Sequence, residues 1–299
     1  MTPSDEQHAA VGLVVPHTHW DRAWYWPFER FRVRLIECMQ AVLRELAAHP
    51  DYRFTFDGQT VMVEDYLEAC PRDAETLREA GRAGRIRMGP LYVLPDLYCT
   101  GGEALIRNAL TGMEMADEFD ADQHVMHLPD TFGITPSIPM IASGLGLETV
   151  TFMRGTPGRI PQDLRMFLWE CPDGSRVSTF RLRDGYANAA RLGRDPEDKS
   201  ARPGYKQEFA VKKLREALEK QCDGQGPPYL LLAGVDHQIP QPQLTDAMRE
   251  ATKPGEMLFR YSDLNELAAA VGQRNKEDWL VYSGEFHGRG AGDCLGGTI

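Results

Sequence analysis

The chain has 299 residues, 42% of them hydrophobic and 9% aromatic, which supports a substantial core and excludes wholesale disorder. A net charge of −11 argues against nucleic acid or an anionic membrane as partner and favours a neutral substrate. No apolar run reaches the ~18 residues of a membrane span, and the polar start MTPSDEQHAA lacks the features of a secretory signal, so a cytoplasmic protein is expected. The six cysteines (Cys38, Cys70, Cys99, Cys171, Cys222, Cys294) form no CxxC pair, which indicates neither a zinc ribbon nor a disulfide scaffold and suits a reducing compartment.

In chain order, Val11 to Val15 is apolar around one glycine, breaks at Pro16, and then sets His17, His19 and Asp21 at intervals of two. Side chains alternate across a strand, so residues two apart share a face. The pattern reads as a buried parallel strand delivering polar groups from its carboxyl end. Imidazole with carboxylate suits zinc or a similar divalent ion, although histidines here can equally cap a loop. Trp20, Trp24, Tyr25 and Trp26 offer flat faces of the kind that stack on ligand rings.

Phe28 to Ala48 carries apolar residues at the three-and-four spacing of an amphipathic helix. A strand at Arg53 to Phe56 ends in Asp57-Gly58. Helices are predicted over Val61 to Ala69 and Ala74 to Ala83, then a strand at Ile86 to Met88. The following GPLYVLPDLYCTGGE is a long Pro/Gly/aromatic loop, and loops of that length inside a domain are usually functional.

Glu103 to Phe119 returns to helix; His124 to Leu128 is a strand breaking at Pro129-Asp130. A helix at Pro139 to Gly144 precedes a strand at Thr149 to Phe152 that runs out at Arg154. Met166 to Glu170 and Arg176 to Arg181 flank Pro172-Asp173-Gly174-Ser175, the signature of a small β-hairpin insertion. Asp184 to Tyr205 is polar and loop-like. Gln207 to Gln221 is helical, Tyr229 to Ala233 an apolar strand ending in Gly234-Val235-Asp236-His237, Thr245 to Thr252 helix, Met257 to Tyr261 strand, and Ser262 caps a last helix through Val271.

Strands thus alternate with helices, which predicts a parallel α/β sheet with right-handed crossovers. In such folds functional groups gather beyond the carboxyl ends of the strands, where His19, Asp21, Asp57, Asp130, Arg154 and Asp236 all fall. Asp130 and Asp236 suit the nucleophile and acid of a glycosidase, which in a retaining enzyme stand ~5–5.5 Å apart. A metal on His19 and Asp21 would bind sugar hydroxyls and offset charge beside the nucleophile. Trp24 and Phe132 would face the sugar ring. Taken singly, each has a plainer role: turn or loop acid for Asp130 and Asp236, surface arginine for Arg154, core aromatic for Trp24 and Phe132, structural support for Asp57 and His237.

In order, HTHWDRAWYW, FDGQTVMVEDYLE, GPLYVLPDLYCTGGEALIRNAL, HLPDTFGITPSIPMI and LLLAGVDHQIP resemble the N-terminal catalytic region of glycoside hydrolase family 38, the α-mannosidases, in particular the bacterial branch that includes mannosylglycerate hydrolases. The resemblance implies a seven-stranded, barrel-like α/β catalytic domain over residues 8–299. It implies one zinc ion with His19, Asp21 and Asp130 as ligands, and Asp130 also as nucleophile. Asp236 then matches the general acid/base, and Trp24, Phe132 and, less directly, Arg154 match residues around the mannose. The implied reaction is retaining hydrolysis of an α-mannoside through a covalent mannosyl-aspartate. Family members continue into a helical bundle and β-sandwich domains, where the fourth zinc ligand lies; His287 is not matched to it. A truncated catalytic domain is therefore expected, with an exposed face that favours self-association. A metal-dependent carbohydrate deacetylase and an inactive sugar-binding fragment are the alternative readings.

Overall fold

β1 (Ala10–Val15) runs between two parallel partners, β8 (Tyr229–Leu232) with Val15 opposite Leu232, and β9 (Met257–Tyr261) with Ala10 opposite Met257. Neighbours on both edges leave its last four residues buried, which is why this segment is apolar throughout. The structure, a computed structural model, describes residues 7–194, 204–222 and 224–287. Cys294, the middle of the polar 184–205 stretch and the tail after His287 lie outside the described residues.

Pairing continues past Val15. His17 bridges Thr55 in parallel, joining β1 to the two-stranded sheet of β2 (Phe54–Phe56) and β3 (Ile86–Met88). Met88 in turn bridges Asp122, just ahead of β4 (Val125–Leu128). β4 is one edge of a five-stranded sheet, completed by β5 (Thr149–Phe152), β6 (Met166–Glu170), β7 (Arg176–Arg181) and β10 (Val281–Ser283) in the order β10-β6-β7-β5-β4.

The hairpin read from the Pro-Asp-Gly-Ser turn is present as the antiparallel β6–β7 pair. It is no peripheral insertion, because β7 also pairs with β5 and β6 with β10, and Trp169 between them is fully buried. A single seven-stranded parallel ring is not confirmed. Among the described residues, hydrogen bonds divide the strands into three small sheets, the largest of them mixed. Packing joins the sheets: Val15, Leu230 and Leu232 of the first meet Val125, Met166 and Phe180 of the largest in one buried cluster. That cluster also takes in Leu264, Leu267 and Val271 of α8 (Leu264–Gly272), each fully buried side chain contributing about 1.5–3 kcal/mol.

α1 (Phe28–Ala48) buries Phe31, Leu35, Met39, Val42 and Leu46, the stripe that its spacing predicts. α2 (Val61–Ala69), α3 (Ala74–Arg82), α4 (Gly102–Glu118), α5 (Ile138–Gly144), α6 (Gln207–Gln221) and α7 (Leu244–Ala251) fall within a residue of the predicted bounds. α8 begins differently: Asp263, not Ser262, is the cap, its carboxylate accepting the Glu266 N–H at 2.9 Å. The Ser262 hydroxyl instead donates to the Glu266 side chain at 2.6 Å. β10 has no counterpart in the sequence reading. Among the described residues no helix is long and apolar enough to cross a membrane.

Candidate active site

The loops leaving β1, β2 and β4 meet in a cleft of about 300 Å³ whose lining includes His19, Asp21, Gln59, Asp96, Asp130 and Phe132. His19 stands at its centre. Its Nδ1 is 2.8 Å from Asp57 Oδ2, so Nε2 is the nitrogen that faces outward, 3.7 Å from Asp21 Oδ1 and 3.8 Å from Asp130 Oδ2. Three residues from two distant segments thus share one locus. His17 does not join them: past Pro16 the chain leaves the regular strand, and His17 Nε2 donates to the Tyr186 carbonyl at 2.7 Å.

Asp130 is anchored from the other side by Arg154, whose Nε donates to Oδ1 at 2.7 Å while Nη2 contacts the same oxygen. The Arg154 guanidinium carbon lies 4.2 Å from the centre of the Phe132 ring, a cation–π contact that orients both groups. Trp24 is not in the cleft wall. It is 67% exposed, its ring 5.0 Å from Tyr25 and 6.3 Å from His237. Asp236 is half-buried and accepts the Tyr186 hydroxyl at 2.7 Å.

Gly234 explains how Asp236 reaches this place. A Cβ there would lie 1.7 Å from the His17 carbonyl oxygen, so only glycine lets the loop after β8 cross the exit of β1 so closely. The crossing is held by the His237 N–H, which donates to the His19 carbonyl at 2.9 Å. His237 Nε2 in turn receives the Asp21 N–H at 3.1 Å and lies 3.2 Å from Asp21 Oδ2.

Charges set the protonation pattern. Burial opposes an imidazolium at His19, but Asp57, joined by Asp21, outweighs it and raises its pKa well above the usual histidine value. Burial likewise opposes the Asp21 carboxylate, yet contact with the His19 and His237 imidazoles brings it well below the usual aspartate range. At Asp130 burial wins and Asp236 adds to it, so the carboxyl sits above its ordinary value despite His19 and Arg154. Asp57, wholly buried, is held low against its burial by His19 and then His127. The Tyr186 hydroxyl is pushed far up by burial and by Asp130 and Asp236, which keeps it a donor.

Two contributors escape the sequence reading. Asp96, which accepts the Phe132 N–H at 3.2 Å, lies in the long loop already singled out as functional. Tyr186 sits in a polar loop without periodicity, and its only signal is being an aromatic among polar neighbours.

The donors suit a divalent cation in kind: one imidazole nitrogen and two carboxylate oxygens, with the imidazole backed by a third carboxylate, Asp57, one of the groups that usually hold the far nitrogen of a metal-ligating histidine. Their spacing of 3.7–3.8 Å is a few tenths wider than the about 3.3 Å edge of a zinc tetrahedron. Among the described residues no three His, Cys, Asp or Glu side chains stand as a formed metal cluster. The donor types match the group, while the separations are wider than direct ligation of one ion gives.

The cleft is rich in carboxylates, has Trp20 and Phe132 in its lining, and lies at the strand exits of an α/β frame. Residues 10–285 match the model of the Glycosyl hydrolases family 38 N-terminal domain, and the chain belongs to that family of glycosidases. A protein of Halalkalibacterium halodurans, provisionally named a mannosylglycerate hydrolase, is 33% identical over 286 residues, covering 91% of this chain and 31% of the relative. The crystal structure of an alpha-mannosidase from Enterococcus faecalis V583 superposes with a TM-score of 0.82 at 29% identity, over 93% of this chain and 31% of that one. The chain thus spans about a third of the length of these relatives. A Mycobacterium smegmatis structure provisionally titled a polysaccharide deacetylase covers 90% of this chain and 93% of its own, with TM-score 0.53 and 13% identity, a likeness of fold alone.

Proposed function

We propose that the chain carries the catalytic site of a retaining, metal-assisted α-mannosidase, with α-mannosides of the mannosylglycerate type as the substrate class. The observation that carries this reading is the meeting of Asp130 with both His19 and Arg154 in one cleft, on a family 38 frame. A carboxylate oxygen of Asp130 attacks the anomeric carbon as the bond to the leaving oxygen breaks, and Asp236 gives that oxygen its proton. In the second step Asp236 takes a proton from water, whose oxygen attacks the same carbon and frees Asp130 and mannose.

Arg154 holds Asp130 in one orientation for both steps, and Tyr186 aims Asp236 through its hydroxyl. Phe132 gives the ring an apolar wall. Zinc held by His19, Asp21 and Asp130 would supply sugar-hydroxyl binding and offset negative charge beside the nucleophile.

Incubation with a slow fluorinated α-mannosyl fluoride in the presence of zinc, followed by peptide mass spectrometry, tests the assignment. A mannosyl adduct on the peptide containing Asp130 is expected. Turnover without any adduct, retained by Asp130→Asn, would overturn the double-displacement reading in favour of an activated water.

A further inference from the structure

Asp57 is wholly buried, and a buried carboxylate that does not line the substrate cleft needs a physical reason. Its Oδ2 receives His19 Nδ1 at 2.8 Å and the Gln59 amide at 3.1 Å. The same Gln59 nitrogen donates to the Trp20 carbonyl at 2.8 Å, directly after His19 in the chain. Between them, Gly58 lies against β4: a Cβ there would be 2.2 Å from the His127 carbonyl oxygen. Gln123, just before β4, donates to the Asp57 carbonyl at 3.3 Å. Asp57 itself has φ +55°, a conformation that asparagine, aspartate and glycine tolerate best.

Asp57-Gly58-Gln59 therefore touches both segments that bear the candidate ligands. Asp57 and Gln59 hold His19 and Trp20, while Gly58 and the Asp57 carbonyl fix the turn against β4, the strand that leads to Asp130. We propose that this turn is a positioning device for the cation, keeping the His19 ring rotated with Nε2 toward Asp21 and Asp130 and setting the distance between the two ligand-bearing loops. The inference rests on the metal reading above and adds to it the element that shapes the site. A plain structural role, a buried ion pair that only stabilises the fold, is the competing explanation.

Zinc affinity separates the two, measured by competition with a chromophoric chelator on the full chain and on Asp57→Asn and Gln59→Met, with thermal unfolding of the zinc-free proteins alongside. Loss of a group that orients a ligating histidine typically weakens metal binding about 10–100-fold. That loss is expected for Asp57→Asn, with a smaller one in the same direction for Gln59→Met, and excess zinc should restore turnover in both. Gln59→Met carries the test if Asp57→Asn does not fold. Folded variants that bind zinc as tightly as the unaltered chain, with only their unfolding temperature lowered, would overturn the positioning role and leave the metal reading standing. An unaltered chain that binds no zinc would overturn both.

Discussion

Replacing Tyr186 by phenylalanine removes one oxygen from the candidate site and little else. The main-chain carbonyl that accepts His17 remains, as does the ring packed 5.4 Å from His19. What is lost is the hydroxyl that donates to Asp236 Oδ1 at 2.7 Å. A hydrogen bond to a carboxyl that becomes charged as it gives up its proton is worth about 1.5–3 kcal/mol, or about 10- to 150-fold in a rate. Asp236 is half-buried, so water can take the vacated position and the loss should fall at the lower end, about tenfold. If Tyr186 aims the proton donor, the loss concentrates where proton donation matters. We expect kcat/KM on an alkyl α-mannoside to fall about tenfold, and on an activated aryl α-mannoside to change by less than about threefold. Equal losses on both substrates, or none on either, would refute the link from Tyr186 through Asp236 to the leaving group.

Removal of Asp236 itself by Asp236→Ala should cost about 10²–10⁴-fold on poor leaving groups and spare good ones, read from the same pair of substrates; a uniform loss would take the acid role away from it. Phe286, fully buried and stacked on Phe152 at 4.2 Å and Tyr282 at 4.8 Å, ties the stretch after β10 to the five-stranded sheet. Phe286→Ala should cost about 3–5 kcal/mol in urea unfolding, and a cost below about 1 kcal/mol would show that this contact is dispensable. His127 is driven by burial to a pKa of about 3, whereas in the unfolded chain it titrates near 6.5. The unfolded state therefore binds the extra proton between those values, so this group's contribution to stability is complete above pH 6.5 and declines by up to about 1.36 kcal/mol per unit as pH falls toward 3. His19, raised rather than lowered, contributes with the opposite sign, so the comparison to make is with His127→Gln. That variant should show a shallower acid-side loss in unfolding free energy, and an unchanged slope would refute the assignment.

Local pattern alone placed the helices and nearly all the strands, because periods of 3.6 and 2 are written in neighbouring residues. It also marked the strand exits, since a short apolar run that breaks at proline or glycine and turns polar identifies the end of a buried strand wherever it pairs. His19, Asp21, Asp130, Arg154 and Asp236 were legible for that reason, and ordered motifs linked them to one family. Tertiary structure decided the rest. Nothing near Tyr186 in the chain indicates that a loop 50 residues ahead of Asp236 supplies its hydrogen-bond donor. The 67% exposure of Trp24, with its ring beside Tyr25 and His237, is likewise set by the fold and not by the letters around it. The hairpin became part of the main sheet through its pairing with β5 and β10, and such pairing depends on which edges meet after the chain has folded back. The same holds for Asp57 and His19, 38 positions apart, whose contact exists because His17, past the end of β1, bridges Thr55 of β2. Periodicity is a property of adjacent residues and survives in a string of letters; the geometry of a site is a property of distances between segments, and only packing sets those.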